Sequence, residues 1–380
     1  MIRYMPASEY ANYTFALSLV AFVTQGVSST FNRVYILSAK KESDYGHEWS
    51  AIGLQVFLVL LIVVLGFPLY EILGGLYWLV IVLILANCAL DFAKTYYQEK
   101  FNFFRFSLIE LFRSVFFFLG AGVVIFNNTA TVTSAAIISV QALSLLIVAW
   151  WALSSRLSEW KPTSLRGISI YAGELAHGKY TFLFAYFFII SIFAQTDIFM
   201  LKIVGDDAMI ATYGSAFRYY SILSLALGAV HAVLLPMIQN SSAHDLQIVF
   251  AKHRRFLILF AAVTAIAAWL AQWGIPLVDA GKYPEATAVF RVLCVSAVIS
   301  FAFSPHVNLL MRYEHFSFLF FLALTALFLH VAINIALIPA FGAVGAAIST
   351  LVATGVITLS IYLKSRQLIK KINPLEYNNQ

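Results

Sequence analysis

Charged side chains are scarce in this sequence. Asp, Glu, Lys and Arg make up 11% of its 380 residues, against about 25% in a soluble domain, so a conventional water-facing surface is excluded. Cysteine is scarcer still. Cys88 and Cys294 both lie inside apolar stretches, which excludes a disulfide framework and offers no metal-ligand spacing. A continuous Lys/Arg face, as nucleic acid requires, is also missing, although the net charge is +6. The first ten residues lack the basic region, short apolar stretch and small-residue site of a cleavable signal peptide. What remains is long hydrophobic runs, 61% hydrophobic residues in all, and the solvent they fit is a lipid bilayer.

A helix crosses the ~30 Å hydrocarbon layer with about 20 mostly apolar residues. Runs of that kind predict eleven spans: Tyr10–Ile36, Ala51–Tyr70, Ile72–Leu90, Ser107–Phe126, Ala130–Leu153, Tyr180–Val204, Ile210–Ile238, Phe256–Trp273, Glu285–Leu310, Phe316–Ile338 and Gly342–Leu363. Only helices and closed barrels satisfy their backbone in lipid, and runs this long without alternation exclude a barrel. The predicted class is all-α and polytopic. Of the 24 basic residues, 18 fall on one side of these spans and 3 on the other. Positive charge marks the cytoplasmic side, so a cytoplasmic C-terminus and an outside N-terminus are expected. The loops on the outer side are short; Gly274–Pro284 is the longest. The domains expected are a five-span bundle over 1–153, a cytoplasmic linker over 154–179, a six-span bundle over 180–364 and a cytoplasmic tail over 365–380.

The stretch Ala11-Asn12-Tyr13-Thr14-Phe15-Ala16 is similar to Ala211-Thr212-Tyr213-Gly214-Ser215-Ala216, and both open a helix from the same side, which suggests parallel repeats. If they correspond, the first half lacks the counterpart of Tyr180–Val204. Two readings stand: a chain short of one N-terminal helix, or a genuine eleven-span protein.

Four segments together resemble a known family. They are Met5-Pro6-Ala7-Ser8-Glu9-Tyr10-Ala11-Asn12-Tyr13; Ala194-Gln195-Thr196-Asp197-Ile198-Phe199-Met200-Leu201 with Tyr213-Gly214-Ser215-Ala216; Leu235-Pro236-Met237-Ile238; and Asn334-Ile335-Ala336-Leu337-Ile338-Pro339 running into Gly342-Ala343-Val344-Gly345-Ala346-Ala347. In order and spacing they resemble the bacterial oligosaccharide and O-antigen flippases, the Wzx-like branch of the multidrug/oligosaccharidyl-lipid/polysaccharide exporter superfamily. The likeness runs from Met5 to about Arg366, and the missing first helix departs from it. It implies two helical bundles around a central cavity that opens alternately to each side of a bacterial inner membrane. The implied substrate is an undecaprenyl-pyrophosphate-linked oligosaccharide, carried from the cytoplasmic to the periplasmic leaflet, with polysaccharide polymerase and assembly proteins as possible partners. Two other classes stay open. One is a cation-coupled exporter of the same superfamily; the other is a membrane polymerase or glycosyltransferase, disfavoured by the short outer loops.

Ionisable residues inside a bilayer line pathways or pair with one another. Asp197 and Arg218 lie at similar depths on adjacent predicted helices, and are read either as a structural ion pair or as a cation-coupling carboxylate and a phosphate or sugar contact. The family resemblance favours Asp197. Glu110 and Arg113, three residues apart, share a helix face and are read as a snorkelling pair or as a guanidinium at the cytoplasmic mouth for a pyrophosphate. Arg291 and Arg33, at helix ends, are headgroup anchors or further contacts. His231 and His330 read as hydrogen-bonded packing residues before proton carriers. Tyr96, Tyr97, Trp150 and Trp151 read as interfacial belt residues. Gln25, Asn32, Asn87, Gln141, Gln195, Asn308 and Asn334 are sugar contacts or helix glue. No catalytic cluster, cofactor or metal site emerges, and the chain is not expected to be an enzyme.

Overall fold

A computed structural model describes residues 2–32, 45–99, 102–127, 132–154, 169, 172–173 and 181–377. Arg33 and most of the predicted linker 154–179 lie outside the described residues. Among those described there is no strand, and the class is all-α as expected.

The helices are α1 (Ala7–Val23, continued by a π-helical turn over Thr24–Ser29), α2 (Tyr45–Leu65), α3 (Leu76–Glu99), α4 (Phe103–Asn127), α5 (Ser134–Ser154), α6 (Thr181–Val204), α7 (Asp207–Asn240), α8 (Ala243–Asp279), α9 (Ala286–Arg312) and α10 (Phe316–Tyr377). Non-helical backbone at Gly342 divides α10 into two limbs, and a further short helix spans Tyr70–Leu73. Among the described residues eight helices are long and apolar enough to cross a membrane, counting α10 once. A bent pair, Gly53–Leu65 with Phe67–Leu73 at 51°, makes up to nine.

Several helices outrun the spans predicted for them. The apolar run of α3 was expected to stop at Leu90, yet the helix continues to Glu99 and carries Asp91 and Lys94. Likewise α8 begins at Ala243 and includes Lys252 to Arg255. Its far end passes through Pro276 to Asp279, inside the predicted loop Gly274–Pro284. The physical reason is the same throughout. Hydropathy reports where lipid ends, whereas backbone hydrogen bonds hold a helix together beyond that level. Side-chain caps set the true starts: Asp206 accepts from the Met209 amide at 2.7 Å, and Ser242 forms a capping box with Asp245.

The chain divides into two compact units, Met1–Gln195 and Thr196–Gln380. In the first, α3 lies between α5 and α1, and α4 packs on α5. The Glu9 carboxylate accepts from the Ser134 amide at 2.6 Å and its hydroxyl at 2.7 Å, placing a negative charge where the α5 dipole is positive. Tyr96 and Tyr97, expected in the interfacial belt, are buried instead, because Tyr97 reaches across to the Ala152 carbonyl of α5 at 2.9 Å. Trp150 and Trp151 are exposed. The opening segment of α6 belongs to this unit, with Phe184 edge-on to Phe31 and Phe188 against Phe22.

In the second unit, α9 packs against α7, α8 and α10. Arg312 caps the end of α7, donating to the Ile238 carbonyl at 2.7 Å and the Ser241 carbonyl at 2.8 Å. The two limbs of α10 fold back on each other. Gly342 turns the chain with φ +54°, a region that only glycine enters without strain. At Gly345 an added Cβ would fall on the Leu337 carbonyl. Ala346 and Ser349, small residues on the same limb, are wholly buried. The related sextets also match in burial, since Ala11, Tyr13, Ala16, Ala211, Tyr213 and Ala216 are all in the core.

Candidate functional site

Asp197 is 5% exposed. Burying a carboxylate costs several kcal/mol unless hydrogen bonds replace its water, and four side chains do so here. His330 Nε2 at 2.8 Å and Asn334 Nδ2 at 3.2 Å donate to Oδ1. The hydroxyls of Tyr213 and Thr350 donate to Oδ2. His330 and Asn334 are four residues apart, one face of the first limb of α10. Thr350 comes from the second limb, which the Gly342 bend lays beside the first, and its hydroxyl is 3.2 Å from His330 Nε2. Ser349 braces the same level by donating to the His330 carbonyl at 2.9 Å. Asn334 Oδ1 is buried without a hydrogen-bond partner. The cluster therefore joins α6, α7 and both limbs of α10 around one carboxylate and one imidazole.

The sequence left Asp197 and Arg218 either as an ion pair or as separate coupling and phosphate or sugar contacts, and the hydrogen bonds on Asp197 come from the four side chains above. Arg218 follows Tyr213 by five residues, about 140° round the helix at 100° per residue, so a helix that turns Tyr213 to Asp197 turns Arg218 elsewhere. Ser215 and Tyr219, four residues apart, share a face of α7. Both donate to Asp279, Tyr219 at 3.0 Å. Asp279 is buried at the end of α8. Burial and the Asp279 charge push the nearby Tyr283 phenol up to about 12, while the positive charge of Arg218 pulls it the other way. Asp279, with Ser215 and Tyr219 donating to it, is thus a second acidic site at the end of α8.

A third group lies in the first unit. Glu110 accepts from Arg113 at 2.8 Å, as its spacing suggested, and from Lys94 at 2.5 Å. Lys94 is also 3.8 Å from Asp91, which accepts from Ser29 in the π-helical turn at 2.9 Å. On the neighbouring Ser28, Gln55 of α2 donates at 2.5 Å. The result is a ladder of alternating charge, Asp91–Lys94–Glu110–Arg113, between α3 and α4. The Arg113 and Glu110 side chains are 41% and 34% exposed, so its outer end remains open. Arg291 has a plainer position. It is exposed and spans two helices, its Nε donating to the Ala268 carbonyl at 3.0 Å and Nη2 to Gln272 at 3.3 Å. Among the described residues no group of His, Cys, Asp and Glu could hold a metal ion.

No family model matches the chain, and no curated protein matches it. Solved structures do. The lipid II flippase MurJ in an inward closed conformation superposes with a TM-score of 0.74 at 13% identity, over 94% of this chain and 81% of that one. An inward-facing multidrug resistance MATE family transporter of the MOP superfamily gives 0.69 at 15% identity, over 97% and 90%. A MOP superfamily transporter from Pyrococcus furiosus gives 0.67 at 12%, over 96% and 87%. The fold is that of the MOP transporters. At these identities the likeness speaks for the fold alone.

Within that fold, Asp197 and Glu110–Arg113 were legible as charges inside apolar runs. His330, Asn334 and Thr350 were not placed beside Asp197 by any sequence signal, because 133 to 153 residues separate them from it. Lys94 and Asp91 were missed by assigning them to a loop edge. Their three-residue spacing on a continued helix was the available signal.

Proposed function

We propose that this protein is a proton-coupled flippase of a bacterial inner membrane. It moves an undecaprenyl-pyrophosphate-linked oligosaccharide, such as an O-antigen repeat unit, from the cytoplasmic to the periplasmic leaflet by alternating access. It acts as a transporter and not as an enzyme. The observation that carries the reading is the buried Asp197–His330 pair in a MOP fold. Ionisable groups held inside membrane helices mark coupling and transport pathways. Four side chains donate to Asp197, and one is an imidazole. A metal cation would have to displace them and sit against His330, whereas a proton needs only to be shared between carboxylate and ring. Losing or gaining that proton changes the attraction holding α6 to α10, which is the kind of two-state bias alternating access requires.

Substrate contact falls to the open end of the charge ladder. The positive-inside distribution puts the start of α4 on the cytoplasmic side, where Arg113 can present a planar fork to a pyrophosphate, with Lys94 behind Glu110. A similarity to the lipid II flippase MurJ supports a lipid-linked cargo; the comparable likeness to MATE transporters keeps a cation-coupled exporter as the second reading. Reconstituted in vesicles with a fluorescent prenyl-pyrophosphate glycan, the protein is expected to flip it faster under a pH gradient and not under a sodium gradient. A sodium dependence without a pH dependence would overturn proton coupling. Export of cationic drugs without glycan movement would favour the second reading.

A further inference from the structure

The second unit also holds a cleft of about 530 Å³ between α8, α9 and the end of α10, away from Asp197 and Asp279. Its walls are apolar, with Phe250, Leu257 and Leu309, and its polar groups are Gln247, His253, Arg254 and His306. We propose that this cleft binds an anionic phospholipid, its chain on the apolar wall, its phosphate against Arg254 and its headgroup hydroxyls against the two imidazoles.

Three observations carry the proposal. The first is level. Helix α8 has 37 residues, about 55 Å at 1.5 Å each, far more than the ~30 Å of hydrocarbon. From Phe256 onward it is uncharged until Asp279, about 36 Å along the axis. Arg254 therefore stands where the helix passes from apolar chains into headgroups.

The second is the state of the imidazoles. Pro305 has no N–H, so the Phe301 carbonyl one turn earlier lacks its helical donor. His253 Nε2 lies 2.9 Å from that oxygen and must donate to it. His306 Nδ1 lies 2.7 Å from the Ser365 hydroxyl. That hydroxyl spends its own proton on the Tyr362 carbonyl, so His306 donates too. Each ring donates through one nitrogen, and in a neutral imidazole that leaves the second nitrogen as an acceptor for a headgroup hydroxyl.

The third is complementarity. An apolar wall beneath a cationic mouth matches an amphiphile with a negative head. Basic pockets between membrane helices hold anionic headgroups through this combination. A free phosphate would use only the mouth and leave the wall unsatisfied.

This inference stands apart from the transport reading and is tested by binding alone. The intact protein, in micelles with equal phosphatidylglycerol and phosphatidylcholine, is examined by native mass spectrometry. Phosphatidylglycerol is expected to be retained preferentially. Arg254→Gln should cut that retention about fivefold, the equivalent of ~1 kcal/mol per cationic group near a headgroup. Arg254 is exposed, so folding should survive, and an unchanged melting temperature checks it. Arg255→Gln, about 100° further round the helix and off the cleft, should leave retention unchanged. Equal losses from the two variants would reduce the effect to diffuse surface charge and overturn the site. Equal retention of both lipids by the unaltered chain would do the same. Displacement of phosphatidylglycerol by farnesyl pyrophosphate but not by inorganic phosphate would also overturn it, reassigning the cleft to a prenyl pyrophosphate.

Discussion

At the scale of single residues the account turns on a buried carboxylate that has exchanged water for four side-chain donors. Hydrogen bonds to a charged group contribute about 1.5–3 kcal/mol each, so removing the charge while keeping the shape should be felt in function. Asp197→Asn is expected to slow transport by about tenfold to a hundredfold, the rate equivalent of that energy, and to flatten its dependence on pH. A flipping assay run across pH 5.5 to 8 checks both, and an Asn variant with unaltered rate and profile would remove Asp197 from the mechanism. Arg113 makes a different prediction, because it is part-exposed. Its pair with Glu110 should contribute less than about 1 kcal/mol to stability, so Arg113→Gln should melt within a few degrees of the parent. Flipping of a pyrophosphate-linked glycan should nonetheless fall at least several-fold. A large loss of stability with normal flipping would make the residue structural.

At the scale of elements, the second limb of α10 reaches His330 only because two glycines permit it. Gly342→Ala forces a side chain into the left-handed region at a cost of roughly 1–2 kcal/mol. Gly345→Leu should cost more, since its Cβ meets the Leu337 backbone, which cannot rotate away. Both variants should lower the melting temperature in detergent, Gly345→Leu further, and both should weaken the pH dependence of transport by drawing Thr350 from Asp197. A Gly345→Leu protein as stable as its parent would contradict the close approach described. The same elements indicate what could be read from sequence. Helix existence was legible because lipid demands long apolar runs. Helix ends were not legible, since apolarity stops at the headgroups while α3 and α8 continue. Asp91, Lys94 and Asp279 were assigned to loops for that reason. The long-range partners of Asp197 were hidden altogether, because a bend and a fold-back decide them.

At the scale of the whole molecule, the lopsided distribution of basic residues predicts orientation. Gln367→Cys near the C-terminus should resist a membrane-impermeant maleimide until cells are opened. Glu71→Cys, in a predicted outer turn, should react in intact cells. Both native cysteines lie within helices, Cys294 buried and Cys88 partly so, which keeps the background low. The opposite labelling pattern would invert the topology and move Arg113 to the wrong side for a cytoplasmic pyrophosphate.

The central claim, that this fold carries a lipid-linked glycan across the bilayer using Asp197, is tested most directly by leaflet-resolved measurement of lipid-linked glycan in a deletion strain. The account predicts intermediates trapped on the cytoplasmic face, released when the unaltered chain is restored and not when an equally inserted Asp197→Asn chain is. Repeat units that reach the periplasmic face and fail only to join would contradict it.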